Sequence, residues 1–132
     1  MQQRHEVPAK KIQIVIVDDD VAVCKSLKFA LEIEGFDVRA YVNPGQFLGE
    51  AELPDCDCLI VDQVMPGMTG LDLIAGLRAR NLDAPAILIT GHSTRELRAR
   101  AQHAGIAVVD KPLLGTVLID SIRRVTTRSP PP

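Results

Sequence analysis

The sequence predicts an α/β fold, a single doubly wound parallel sheet of five strands with five helices. Five short apolar runs rich in β-branched residues alternate with longer segments whose apolar residues fall at helical spacing. Most of the runs lack polar alternation, as strands covered on both faces do. They also end in residues of chemical interest: Asp18-Asp19-Asp20, Asp62, Thr90 and Lys111. Alternating strands and helices imply a parallel sheet with helices on both sides. In such sheets the strand ends line one edge, where ligands and chemistry gather.

Residues 1–10 read as a polar lead-in. Ile12–Val17 is a short buried strand. Val23, Leu27, Ala30 and Leu31 follow at helical spacing, and Gly35 fits the stop. Phe36–Tyr41 is the second strand. Asn43-Pro44 opens the second helix, with Asn43 suited to the cap and Pro44 to the first turn. Cys58–Asp62 is the third strand, and Leu71, Ile74, Ala75 and Arg78 are spaced for the third helix. Pro85–Thr90 makes the fourth strand. Thr94–Ala104 makes the fourth helix, closed by Gly105, and Ile106–Asp110 the fifth strand. Leu114, Val117, Leu118, Ser121, Ile122 and Val125 share one face of the last helix. Residues 128–132 close on Pro130-Pro131-Pro132, a stiff extended tail. The expected domain spans 11–127, with no internal repeat and no second domain.

A chain of 132 residues fits one domain and needs no disulfide or structural metal to fold. Its net charge of −2, from 15 basic and 17 acidic residues, gives no bulk reason to bind nucleic acid or membrane. The apolar runs are too short to span a bilayer. The first residues carry no apolar stretch of signal-peptide type, so a cytoplasmic location is expected. Cys24, Cys56 and Cys58 are an odd number without a disulfide pattern. Cys56-Asp57-Cys58 lacks a second ligand pair for a metal, and reads as thiols entering a buried strand.

Asp62 opens Asp62-Gln63-Val64-Met65-Pro66-Gly67-Met68-Thr69-Gly70, just past a buried strand. Glycine lets the backbone turn sharply under a ligand, and Pro66 stiffens the loop. A carboxylate fixed there can attack phosphorus and form a mixed anhydride. Asp18 and Asp19 supply hard oxygen ligands of the kind Mg2+ takes. Such a cation offsets the repulsion between a carboxylate and a phosphoryl group. Asp20 suits the cap of the first helix. Lys111 offers a compact positive charge and Thr90 a hydroxyl donor. Gly91 beside Thr90 is small and leaves a path for a donor phosphate.

Together with Thr90-Gly91-His92, this ordered set resembles the receiver domain of bacterial two-component response regulators, most of all the nitrogen-fixation type, over residues 10–125. The resemblance implies a flavodoxin-like (βα)5 sheet of strand order 2-1-3-4-5. It implies a phosphoryl group passed from the histidine of a sensor histidine kinase onto Asp62, with Mg2+ as cofactor. Asp19 and Asp62 would ligate directly, Asp18 through water, and Val64 through its backbone carbonyl. Thr90 and Lys111 would hold phosphoryl oxygens, and the Lys111–Pro112 bond would be cis. Such a domain is a phosphoacceptor that catalyses only its own phosphorylation and dephosphorylation.

The chain departs from the family at one place. Receivers carry Tyr or Phe three residues before the lysine, where Val108 stands here, and no aromatic follows residue 47. His92 reads better as a loop residue than as a phosphoacceptor, and His5 and His103 as solvated. Arg95, Arg98 and Arg100, with Arg123, Arg124 and Arg128, form a basic side. It reads first as a solvated face, then as a protein interface such as a receiver homodimer through the fourth and fifth helices. No nucleic-acid recognition motif is present in this domain.

Three alternatives stand beside the phosphoacceptor. One is a receiver-like scaffold that is not phosphorylated. Another is the receiver part of a larger DNA-binding regulator. The third is an aspartyl-phosphate hydrolase of the haloacid dehalogenase type, which needs an acid where Val64 stands.

Overall fold

A computed structural model describes residues 10–113 and 115–127. Five strands and five helices alternate: β1 (Gln13–Val17), α1 (Val21–Ile33), β2 (Asp37–Tyr41), α2 (Pro44–Leu48), β3 (Cys58–Asp62), α3 (Gly70–Ala79), β4 (Ala86–Thr90), α4 (Arg95–His103), β5 (Ala107–Asp110) and α5 (Val117–Thr126). The sheet is parallel throughout, in the order β2-β1-β3-β4-β5. The expected lead-in up to residue 9, Leu114 and the tail from 128 lie outside the described residues.

Alternate side chains of the central strands feed two cores. Val15, Val17, Leu59, Val61, Ala86 and Leu88 meet Phe47 of α2, Leu73, Ile74 and Leu77 of α3, and Leu97 and Ala101 of α4. Ile14, Ile16, Cys58, Ile60, Ile87 and Ile89 meet Cys24 and Leu31 of α1 and Leu118 and Ile122 of α5. The period-2 side-chain alternation of a strand produces this division. With both faces covered, every residue of β3 and β4 is buried.

Four strands begin one residue later than the sequence reading, three of them for evident local reasons. Pro85 has no N–H to give a ladder, so β4 starts at Ala86, although the Pro85 carbonyl still accepts from Leu59 N–H at 2.8 Å. The N–H groups of Phe36 and Ile106 bond back to Leu31 O and Ala101 O, closing α1 and α4 around Gly35 and Gly105. Both glycines have positive φ, +96° and +71°, the left-handed C-cap conformation. That use of Phe36 and Ile106 leaves β2 and β5 to begin at Asp37 and Ala107. β1 likewise starts at Gln13 rather than Ile12, and the fourth helix is bounded by Thr94 and Ala104 as caps.

The core-facing sets of the helices also need correction. Ala30 on α1, Ala75 on α3 and Val117 on α5 are exposed, whereas Cys24, Leu73 and Leu77 are buried. Alanine and valine fit an apolar spacing pattern on either side of a helix, so spacing alone misplaces the edge of the stripe. No described helix is long and apolar enough to cross a membrane.

Candidate functional site

The strand order places β1 beside both β2 and β3, so the connections reverse direction between β1 and β3. A crevice opens outside the carboxyl ends of strands at such a point. Val17 pairs with Val61, so Asp18 and Asp62 leave the sheet at the same level on either side of that crevice. Asp62 pairs with Ile89 and Thr90 with Asp110, which steps the edge forward to Thr90 and Lys111. The ladder thus brings together Asp18, Asp19, Asp62, Thr90 and Lys111, residues far apart in the chain.

Asp62 is 7% exposed and Asp18 4%, while Asp19 is exposed. Asp18, Asp19 and Asp62 each offer a carboxylate oxygen within 4.8 Å of the other two. Lys111 Nζ lies 3.2 Å from Asp62 Oδ1. Burial pushes the Asp18 carboxyl above the usual range, and the Asp62 and Asp19 charges add to that. Asp20 N–H, donating to Asp18 Oδ1 at 2.9 Å, and the Lys111 charge work the other way. Three carboxylates against one ammonium form an oxygen-rich site short of positive charge, and an oxygen-seeking divalent cation fits it.

The supporting bonds are local. Asp20 Oδ1 accepts from Ala22 and Val23 N–H at 2.9 and 3.2 Å, so the third acid caps α1 as expected. Thr90, 1% exposed, accepts from His92 N–H at 3.1 Å, which leaves its hydroxyl proton for another acceptor. Lys111 N–H donates to Thr90 O at 2.8 Å, and the Lys111–Pro112 bond is cis. His92 and His103 are exposed. His5 and Arg128 lie outside the described residues. Val64 is 73% exposed and Met65 buried, while Gly67 turns the intervening loop at φ +86°. Gly70 serves differently: a Cβ there would stand 2.6 Å from Asp62 O and 2.7 Å from Leu88 Cδ1. Gly91 is under no such constraint, because a Cβ would only touch the Lys111 stem at 3.9 Å.

Sequence reasoning missed several supports. Cys24 Sγ donates to Asp18 O at 3.2 Å, and burial and the Asp18 charge raise its pKa. Gln63 Oε1 accepts from Leu71 N–H at 3.0 Å. Arg98 bonds Ser93 Oγ at 3.1 Å and pairs with Asp110, next to Lys111. Arg123 lies 3.8 Å from Glu34 and over the Phe36 ring, so these two members of the basic side are paired within the chain. Such side-chain bonds, whether they reach 5 residues along the chain or 12, leave no periodic trace. Cys56 and Cys58 lie at the far end of β3, buried enough to push their thiols up to about 11 and about 12.

The profile described as "Response regulator receiver domain" matches residues 14–123. The chain is 36% identical over 112 residues to the transcriptional regulatory protein FixJ of Rhizobium meliloti (strain 1021), covering 84% of this chain and 55% of that protein. It is 30% identical over 126 residues to nodulation protein W of Bradyrhizobium diazoefficiens, covering 94% and 55%. The chain thus spans about half the length of these curated relatives. The crystal structure of FixJ-N superposes with a TM-score of 0.77 at 34% identity, covering 89% of this chain and 94% of that one. Vibrio cholerae chemotaxis protein CheY4, 22% identical with a TM-score of 0.80 over 88% and 99%, shares the fold.

Proposed function

Because this chain belongs to the response regulator receiver domain family, which serves two-component signalling, we propose that Asp62 accepts a phosphoryl group from the phosphohistidine of a sensor kinase. An Asp62 carboxylate oxygen attacks phosphorus, the P–N bond breaks, and the donor imidazole leaves with the electron pair. The Lys111 ammonium and the Thr90 hydroxyl then hold phosphoryl oxygens. The single observation that carries this is the buried Asp62 carboxylate, 3.2 Å from Lys111 Nζ and clustered with Asp18 and Asp19.

Asp18, Asp19, Asp62 and the Val64 carbonyl would hold Mg2+. When bound, the cation would offset the repulsion between the incoming phosphoryl group and Asp62. A receiver homodimer through α4 and α5, a cytoplasmic location and attachment to a DNA-binding output are part of the same proposal. So is a receiver unit of 11–127 with a separate lead and tail. The relatives called transcriptional regulators favour the attached output. Val108 favours one second reading, a receiver-like scaffold that is not phosphorylated, because the aromatic that would report a phosphoryl group is missing from β5.

Incubation with acetyl phosphate and Mg2+, followed by intact mass over time, tests the proposal. A single adduct that decays supports the phosphoacceptor. No adduct supports the scaffold, and steady phosphate release without accumulation supports a hydrolase.

A further inference from the structure

We propose that Gln63 is a positioning residue for this site, clamping the neck of the β3–α3 loop so that Asp62 and the Val64 carbonyl are held for the cation. The inference rests on the reading above. Gln63 lies between those two residues in the chain, and it makes three hydrogen bonds. Its N–H donates to Ile89 O at 2.9 Å, carrying the β3–β4 ladder past Asp62. Its carbonyl accepts from Gly70 N–H at 3.0 Å, and its side-chain Oε1 accepts from Leu71 N–H at 3.0 Å.

The first turn of a helix leaves N–H groups with no partner inside the helix. In α3 the accounting closes. Gly70 and Leu71 give to Gln63, Asp72 gives to Thr69 Oγ1 at 3.1 Å, and Leu73 N–H begins the helical series on Thr69 O. Gln63 therefore takes two of the three donors outside that series. Thr69 and Gln63 differ in what they join. The Thr69 bond stays within the helix cap, whereas the Gln63 bonds tie the helix start to the strand end that bears Asp62. The absence of a Cβ at Gly70 completes the clamp, because only glycine lets α3 begin against Asp62 O.

An apolar side chain at 63 would keep the backbone bond and lose the Leu71 bond. The neck would then be held at one point instead of two. Residues that orient metal ligands from behind affect affinity strongly when they are lost, about tenfold or more. Gln63→Met is close to isosteric and has no oxygen acceptor. Thr69→Ala is the matched control, since it removes an α3 cap without touching the strand end.

Mg2+ affinity is read by titrating backbone amide shifts, alongside the melting temperature of each variant without Mg2+. We expect Gln63→Met to weaken Mg2+ about tenfold, with faster hydrogen exchange at the Leu71 amide. Thr69→Ala should stay within about twofold of the parent while losing comparable thermal stability. The same expectation holds for Gln63→Asn, too short to reach Leu71, should Gln63→Met not fold. Unchanged Mg2+ affinity in the Gln63 variant overturns the inference. So does a loss that the Thr69 variant shares in step with its stability. A parent protein without Mg2+-dependent shifts at 18–20 and 62–64 removes the proposed metal site itself, and the inference with it.

Discussion

Asp18 and Asp62 sit buried on facing strand ends, and among the described residues only Lys111 brings positive charge close to Asp62. Without a cation, the buried Asp18 carboxylate costs stability. Burial raises the Asp18 pKa, so the folded protein holds that proton more tightly than the unfolded chain. The penalty is absent below the ordinary carboxylate pKa and grows as pH rises through the raised value. Asp18→Asn removes the charge and keeps an oxygen for Asp20 N–H. In Mg2+-free buffer at pH 7 it should stabilise the fold by on the order of 1 kcal/mol, about 3–5 °C in melting temperature. The gain should vanish toward acid pH, and thermal melts across pH check both parts. The identities of these acids, Thr90 and Lys111 were legible because each stands where an apolar run stops. Gln63 was not, because its bond to Leu71 answers to the path of a loop, which no residue spacing encodes.

Elements were legible where one residue type forces a boundary. Asn43 before Pro44, and Gly35 and Gly105 at positive φ, mark α2, α1 and α4 as the sequence reading has them. Burial at helix edges was less legible, as Ala30, Ala75 and Val117 show, because the covering neighbour decides it. Gly70 has a role that its type alone does not reveal, since its φ is ordinary and its constraint is contact. Gly70→Ala should destabilise by about 1–3 kcal/mol, read as a shift in the urea midpoint. Val108 packs half-buried beside α4, and it is short and stiff at χ1. It offers no ring to swing when Thr90 engages a phosphoryl group. Coupling should run instead through the loop at residues 90–95, whose Ser93 meets Arg98 and, through it, Asp110 of β5. Beryllofluoride, standing in for the phosphoryl group, should therefore shift amides at 90–95 more than those at 106–127. Large movement of β5 and α5 with that loop still would contradict this route.

The whole molecule is a parallel sheet in the order β2-β1-β3-β4-β5, and that order makes the site. Alternating patterns gave the strands, the helices and the covered sheet. The order of strands came with the family resemblance, because apolar β-branched strands carry no mark of their neighbours. A cation that binds only the folded state must stabilise all of it. Mg2+ at a hundred times its Kd should add about 2.7 kcal/mol, and Asp19→Asn should remove most of that gain. A melting temperature unmoved by Mg2+ would count against the site. Asp62 itself should carry the phosphoryl group. An acyl phosphate is reduced by borohydride, which turns the aspartyl residue into homoserine. Protein treated with acetyl phosphate and Mg2+, then borohydride, is digested and its peptides weighed. Homoserine is expected at position 62 alone, and none in Asp62→Asn. Homoserine at Asp18 or Asp19, or an unreduced phosphate on His92, would contradict it.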